Sequence, residues 1–265
     1  LSQGHARVSA MTTSTRDVAL ARLAATQHGA LSRTQARDIG VDANFVTRRV
    51  RSGRFIEVAD GVVVVAGSPP TLKQKVMVAV LSCGPGAVAS HFTAAWLHGF
   101  VTRAPRAPGD VEVATHRQLR RGRLWRTHRS RDLLPHHTTL VDGIPISSAA
   151  RTVLDIAGTA PWLAEQLGDR AVREGLMTYR ELGQAVVDVA RKGRSGVVVC
   201  RELVEARLDW SDRSESELED RFLRLLVGAG VPLPMAQIEL RGPDGLFICR
   251  ADFVDHPSRS VFFLD

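Results

Sequence analysis

The sequence predicts an α/β protein, α+β by parts, in which a small helical unit, a mixed middle region and a sheet-rich C-terminal region follow one another. Three observations support this prediction. Two short helices separated by Gly40 precede a valine-rich hairpin. Helix-like and strand-like stretches then alternate through the middle of the chain. A helix followed by three strand-like runs occupies the C-terminal region.

Breaker and polar segments predict the boundaries between these regions. The motif Gly-Ser-Pro-Pro at 67–70 ends the first region, and the polar run at 211–214 opens the last. We therefore expect a flexible leader at residues 1–14, a winged helix-turn-helix DNA-binding domain at 15–70, a mixed α+β domain at 71–208 and a further domain at 211–265.

Composition favours a soluble, cytoplasmic protein with a polyanionic partner. No apolar run approaches the roughly 20 residues that cross a bilayer, and no signal peptide is apparent, so no membrane partner is expected. The three cysteines have no metal-ligand or disulfide spacing. The formal net charge of +7 favours nucleic acid as the partner.

The helix-turn-helix prediction is based on periodicity and caps. Apolar residues recur with helical spacing over residues 16–27. Ser32 is a plausible N-cap for a helix over residues 33–39, and Asp42 for a helix over residues 43–52. The dipeptide Asp60-Gly61 then joins two β-rich runs, which is a strong hairpin signal and predicts a wing.

The helix over residues 43–52 carries the candidate DNA-binding residues. Those spaced to share one helical face are Asn44, Thr47, Arg48 and Arg51. Amide, hydroxyl and guanidinium groups suit base edges and phosphates, and Arg54 at the start of the hairpin joins the set. Arg49 falls inside the apolar arc, so we expect its head group to extend into solvent. The alternative is a generic helical unit whose polar face is merely solvated.

A strongly basic stretch follows in the middle region. Seven arginines and no acid lie between Arg117 and Arg131. Such a density of charge predicts phosphate contacts by Arg120, Arg121 and Arg123, and the alternating pattern predicts a strand over residues 124–128. The alternatives are a solvated basic loop and a contact with an acidic protein.

Histidines of the middle region offer a possible metal site, but their spacing argues against it. They are His91, His98, His136 and His137. No cysteine or carboxylate cluster lies near them in the sequence, so we expect hydrogen-bonded or exposed histidines rather than metal ligands.

The first region resembles the N-terminal domain of AbiEi-type antitoxins of type IV toxin–antitoxin systems. The similar sequence is ALARLAATQHGALSRTQARDIGVDANFVTRRVRSGRFIEVADGVVVV at 19–65. ASHFTAAWLHGF (89–100), VEVATHRQLRRG (111–122) and GIPISSAARTVLDIA (143–157) resemble the sequence that follows this domain in actinobacterial members. The resemblance implies promoter binding, autorepression and a cognate toxin as partner.

The C-terminal region resembles the beginning of Vsr-like endonucleases of the PD-(D/E)xK superfamily. The similar stretches are SESELEDRFLRLLVGAGVPLPMAQIEL and FICRADFVDHPSRSVFFLD. The resemblance implies an incomplete restriction-endonuclease-like sheet and a Mg²⁺ site in which Glu219 and Asp252 are ligands. If Asp265 aligns with the next aspartate of that family, Phe263 stands at the position of a catalytic acid, so no complete catalytic set is expected.

These patterns favour a double-stranded DNA-binding protein, an antitoxin-type transcriptional autorepressor that needs no cofactor. One alternative is a Mg²⁺-dependent DNA endonuclease with Glu219, Asp252 and Asp265 as its candidate residues. Another is a protein-interaction module that neutralises a toxin.

Overall fold

A computed structural model describes residues 12–119, 124–191, 194–207, 217–243 and 245–264. The chain divides into two compact units. Unit 1 contains the described residues of 1–93, 103–131 and 139–146, and unit 2 contains those of 94–102, 132–138 and 147–265.

Helices and strands alternate along most of the described chain. The helices are α1 (Thr13–Ala25), α2 (Arg33–Asp38), α3 (Ala43–Arg51), α4 (Leu72–Cys83), α5 (His91–His98), α6 (Ala149–Ala157), α7 (Ala164–Arg173), α8 (Tyr179–Val189), α9 (Val197–Arg207) and α10 (Glu217–Ala229). The strands are β1 (Ala30–Ser32), β2 (Phe55–Ala59), β3 (Val62–Val65), β4 (Val88–Ala89), β5 (Glu112–Thr115), β6 (Arg126–Arg129), β7 (Thr138–Val141), β8 (Ile144–Ser147), β9 (Met235–Arg241), β10 (Phe247–Asp255) and β11 (Ser260–Phe262). The mixed helix and sheet content confirms the predicted fold class.

The first part of unit 1 is a winged helix-turn-helix. α1 begins at Thr13, two residues before the expected boundary at 15, and the chain continues through β1, α2 and α3 into the β2–β3 hairpin. β1 pairs antiparallel with β3, and β3 with β2. After α1, His28 and Gly29 adopt positive φ angles of 53° and 83°, a conformation that commonly follows the end of a helix.

One apolar cluster holds these helices and strands together. Leu20 of α1, Ala36 of α2, Phe45 and Val46 of α3 and Val63 of β3 are buried in it. Because burial of a large apolar side chain contributes about 1.5–3 kcal/mol, this cluster accounts for the packing of three short helices that would not be stable alone.

The rest of unit 1 is built around a five-stranded sheet with the order β6-β5-β4-β8-β7. β4 pairs antiparallel with β5 and parallel with β8. The strand predicted at 124–128 forms at Arg126–Arg129, and it pairs parallel with β5, Glu112 lying opposite Arg126. The basic β6 is therefore an edge strand of a sheet whose neighbouring strand β5 is buried.

Unit 2 contains the helices α6 to α9 and, beyond them, a small sheet. α6 is buried along its whole length and packs on α7, α8 and α9. The C-terminal sheet is antiparallel with the order β11-β10-β9. Phe222 of α10 packs against Phe253 and Phe262 of this sheet, with ring centroids 5.5 and 5.0 Å away. The helix and three strands expected from the sequence are thus present.

In the described part of the chain, no helix combines the length and apolar character that a bilayer crossing requires. The domain limits expected at 70, 71, 208 and 211 stay predictions. The first eleven residues of the expected leader and residues 208–216 lie outside the described residues.

Candidate nucleic-acid interface

Side-chain caps determine where the two helices of the motif begin. Ser32 accepts a hydrogen bond from the backbone N–H of Gln35, whose side chain accepts one from the backbone of Ser32, which forms a complete capping box. Asp42 accepts a 2.8 Å bond from the N–H of Phe45 and caps α3. Since both caps are local, the sequence alone predicted them.

Three of the four candidate DNA-binding residues on α3 are exposed. Asn44, Arg48 and Arg51 are accessible to solvent, while Thr47 is half-buried. Neither Arg48 nor Arg51 forms an ion pair within the described residues; the Arg48 guanidinium lies 5.7 Å from the centre of the Phe45 ring. The face therefore presents an amide and two guanidinium groups to solvent.

Thr47 has a different environment from its neighbours on this face. Its hydroxyl donates a 2.9 Å hydrogen bond to the carbonyl of Ala43 and accepts a 3.0 Å bond from Arg33. Arg33 also donates a 3.2 Å bond to Glu57 on β2. The only proton of the hydroxyl is thus in use. Arg33, which no sequence pattern singled out, connects α3 with the wing.

Arg49 does not extend into solvent, so the expectation for its head group was wrong. Its Nε and Nη2 atoms donate hydrogen bonds of 2.7 and 2.6 Å to the two carboxylate oxygens of Asp17 on α1. The guanidinium also lies 4.5 Å from the centre of the Phe45 ring. A carboxylate from a helix remote in sequence offered a better partner than water.

This ion pair changes the electrostatics of the site. The hydrogen bond from Arg49 holds the pKa of the Asp17 carboxyl below its usual value, against the opposing effect of burial. Arg54, whose side chain is 65% exposed, approaches the same carboxylate at 3.5 Å. Asp17 therefore neutralises the inward arginine, while Arg54, Arg48 and Arg51 remain accessible at the surface.

The Arg-rich stretch is described only at its two ends. Arg120, Arg121 and Arg123 lie outside the described residues. On either side, Arg117, Arg126, Arg129 and Arg131 are exposed. Burial acts to raise the pKa of the Glu112 carboxyl on the neighbouring strand, but the hydrogen bond from His128 and the charge of nearby histidines hold that pKa below its usual value. The carboxylate of Glu112 thus offsets part of the charge of β6.

The middle-region histidines separate into two groups. His98 lies 2.8 Å from the carbonyl of Ser147, and His91 lies 3.0 Å from the hydroxyl of Ser90 and stacks on His128. The structure brings His136 and His137 together with Asp188, a carboxylate that lies about fifty positions further along the chain. The spacing of these residues in the sequence does not predict that they lie close together.

Of the nuclease-like candidates, the structure describes Glu219 and Asp252. Glu219 is 3% exposed on α10. Asp252 lies inside β10 rather than at its end, and its carboxylate accepts a 2.7 Å bond from the N–H of Leu264. Phe263 is 56% exposed, and Asp265 lies outside the described residues. No group of three metal-ligating side chains within the described residues includes Glu219 or Asp252, and the Mg²⁺ site stays a prediction.

Comparison with known proteins finds a family match for the N-terminal region. Residues 18–66 match the family model described as transcriptional regulator, AbiEi antitoxin. This match confirms the resemblance expected for that segment. It does not extend to the C-terminal region, where the Vsr-like resemblance stays a prediction.

Comparison of whole chains adds little. No curated protein sequence matches this chain. Among solved structures, the RV2827C protein from Mycobacterium tuberculosis is similar at 14% sequence identity and a TM-score of 0.40, over 88% of this chain and 90% of that one.

Proposed function

We propose that this chain is a cytoplasmic transcriptional regulator that binds duplex DNA through α3 and represses its own promoter as an antitoxin. One observation carries the proposal. On a helix held by caps and a packed core, Arg48 and Arg51 are exposed and form no ion pair within the described residues, while the intervening Arg49 is neutralised by Asp17. The family model matched by residues 18–66 supports the regulatory role.

The geometry of α3 suits a major groove. A groove about 12 Å wide admits one helix, and arginine and asparagine pair in bidentate fashion with guanine and adenine respectively. Asn44, Arg48 and Arg51 supply these groups from one face. We assign Thr47 a positioning role, because its proton is already donated to Ala43.

The wing is placed to support the same contact. Arg33 binds both Thr47 on α3 and Glu57 on β2. A fixed angle between helix and wing reduces the ordering that binding requires. Arg54, which lies between α3 and β2, is suited to a phosphate.

Arg120, Arg121 and Arg123 add a sequence-independent attraction for DNA phosphates. The family resemblance implies a cognate toxin as the protein partner. A nucleotidyltransferase-like gene beside this one would support the toxin. Neither the nuclease nor a purely protein-binding role is favoured by a specific contact in the described residues.

The test is a titration of labelled promoter DNA from the protein's own operon, followed by fluorescence anisotropy at fixed salt. Replacing Arg48 and Arg51 together with alanine should weaken binding by about 2–6 kcal/mol, since each bidentate contact contributes about 1–3 kcal/mol of discrimination. The melting temperature should change little, because both side chains are exposed.

A matched control distinguishes direct DNA contacts by α3 from the effect of removing two positive charges anywhere on the protein. Replacing Arg173 and Arg259 with alanine removes the same charge from exposed positions outside the winged helix, and it should leave affinity nearly unchanged. Equal loss in both double variants, or intact binding without Arg48 and Arg51, would contradict the assignment of α3.

A further inference from the structure

Three potential metal ligands of unit 2 converge on one point. The turn Pro135–His137 carries His136 and His137, and α8 carries Asp188. The Nε2 atoms of His136 and His137 lie 2.6 and 3.0 Å from the same oxygen, Oδ2 of Asp188. We propose that His136, His137 and Asp188 bind a divalent transition-metal ion, with Zn²⁺ as the preferred ion.

The ligand types and their spacing favour zinc. Imidazole nitrogen and carboxylate oxygen bind Zn²⁺ at about 2.0–2.2 Å, so tetrahedral ligand atoms lie about 3.3 Å apart. The three ligand atoms of this group all lie within 4.8 Å of one another, and the two nitrogen–oxygen distances of 2.6 and 3.0 Å would lengthen by about 0.7 and 0.3 Å to reach that spacing. Two imidazoles disfavour Mg²⁺ and Ca²⁺, which prefer oxygen ligands.

Neighbouring groups orient both the carboxylate and one of the rings. Gln184 donates a 2.8 Å hydrogen bond to Oδ1 of Asp188, which leaves Oδ2 directed at the histidines. Nδ1 of His137 lies 3.2 Å from the carbonyl oxygen of Asp132. The backbone N–H of Leu134 and Nη1 of Arg151 also approach Nδ1, at 3.4 and 3.2 Å. Zinc binding at Nε2 therefore requires the tautomer in which Nδ1 donates its proton to the Asp132 carbonyl, the arrangement common in metal-binding histidines.

The site is also built on rigid elements and is open to water. Arg151, fully buried on α6, donates a 2.7 Å bond to the carbonyl of Asp132 and a 3.1 Å bond to its carboxylate. His136 and His137 line a cavity of about 220 Å³, from which a water molecule can complete the coordination. Bound metal would tie the turn before β7 to α8, a role independent of DNA binding.

Zn²⁺ titration of the untagged 265-residue chain, after chelator treatment, tests the proposal by calorimetry and metal analysis. We expect one ion per chain and a higher melting temperature, because a ligand that binds only the folded state stabilises it. His136→Ala and Asp188→Asn should each weaken binding by at least about 100-fold, and Gln184→Ala by about 10–100-fold.

His136→Ala is the decisive variant, since its side chain is 60% exposed and its removal should not unfold the protein. His256→Ala removes another exposed histidine of unit 2 and should bind Zn²⁺ as the wild type does. The proposal is overturned if the wild type binds no Zn²⁺, if His136→Ala binds it equally well, or if Cys249→Ser abolishes binding instead.

Discussion

Arg49 of α3 and Asp17 of α1 form a two-point ion pair, with nitrogen–oxygen distances of 2.7 and 2.6 Å. The pair joins α1 to α3, the helix that carries the exposed Arg48 and Arg51. As a result, the neighbouring arginines of α3 have different roles. Arg49 contributes to the fold, whereas Arg48 and Arg51 remain accessible to a ligand.

Asp17→Asn should lower the free energy of unfolding by about 1–2 kcal/mol at neutral pH, because hydrogen bonds to charged groups are stronger than neutral ones and this pair is partly exposed. The folded-state pKa of Asp17 is depressed below 3.8. Its contribution is therefore complete above that pH and is lost as the pH falls through the folded-state value. Urea unfolding at pH 7 and pH 3 should show the difference from wild type shrinking at the lower pH.

Asp60→Asn is the control for that experiment. Asp60 is exposed in the hairpin turn and forms no ion pair within the described residues, and asparagine before glycine suits the turn equally well. Its effect should stay within about 0.5 kcal/mol at neutral pH. A constant difference between wild type and Asp17→Asn at both pH values would exclude an ionised Asp17 as the cause.

Arg151→Met should destabilise the chain by about 3–5 kcal/mol, the usual effect of breaking a buried ion pair. Arg151 is fully buried and binds Asp155 at 3.0 Å, four residues along α6. Arg170→Met provides the matched control, since Arg170 and Glu174 have the same spacing but are about one-third exposed. That exposed pair should contribute less than about 1 kcal/mol. Similar shifts in the urea midpoint for both variants would show that burial of Arg151 is not decisive.

Arg120→Ser, Arg121→Ser and Arg123→Ser together should weaken binding to any duplex about equally. The slope of log K against log salt should fall by about one unit for each phosphate that the variant no longer binds. Replacing Arg106, Arg173 and Arg259 with serine removes the same charge from exposed positions and should change the slope less. An unchanged slope in the first variant would assign those arginines to solvent or to a protein partner.

The 265-residue chain should not cleave plasmid DNA with Mg²⁺ or Mn²⁺. Activation of water needs a metal held beside the scissile phosphate, whereas Glu219 is buried and Asp252 accepts a bond from Leu264. The nuclease resemblance, with Asp265 aligned to the family's aspartate, also implies a phenylalanine, Phe263, at the position of an acid. Agarose-gel nicking assays check this, with Asp252→Ala as the reference. Metal-dependent nicking by the wild type that disappears in Asp252→Ala would establish the nuclease alternative.

The winged helix-turn-helix followed from the sequence because its signals are local. Ser32 and Asp42 cap helices within three residues, Asp60-Gly61 closes a two-residue turn, and helical periodicity put Asn44, Arg48 and Arg51 on one face. Each of these features depends on neighbours in the chain, so propensity and spacing suffice to predict it.

Tertiary structure alone decided which charged groups meet. Asp17 and Arg49 are 32 residues apart, and His137 and Asp188 are 51 apart. No periodicity links such positions, and many charged residues compete as partners before the chain folds. Packing of α1 on α3 selected the inward arginine, and packing of α8 beside the turn at His137 assembled the metal-ligand group. The sequence determined the local elements and the exposed face, whereas the fold determined which side chains remain available for a ligand.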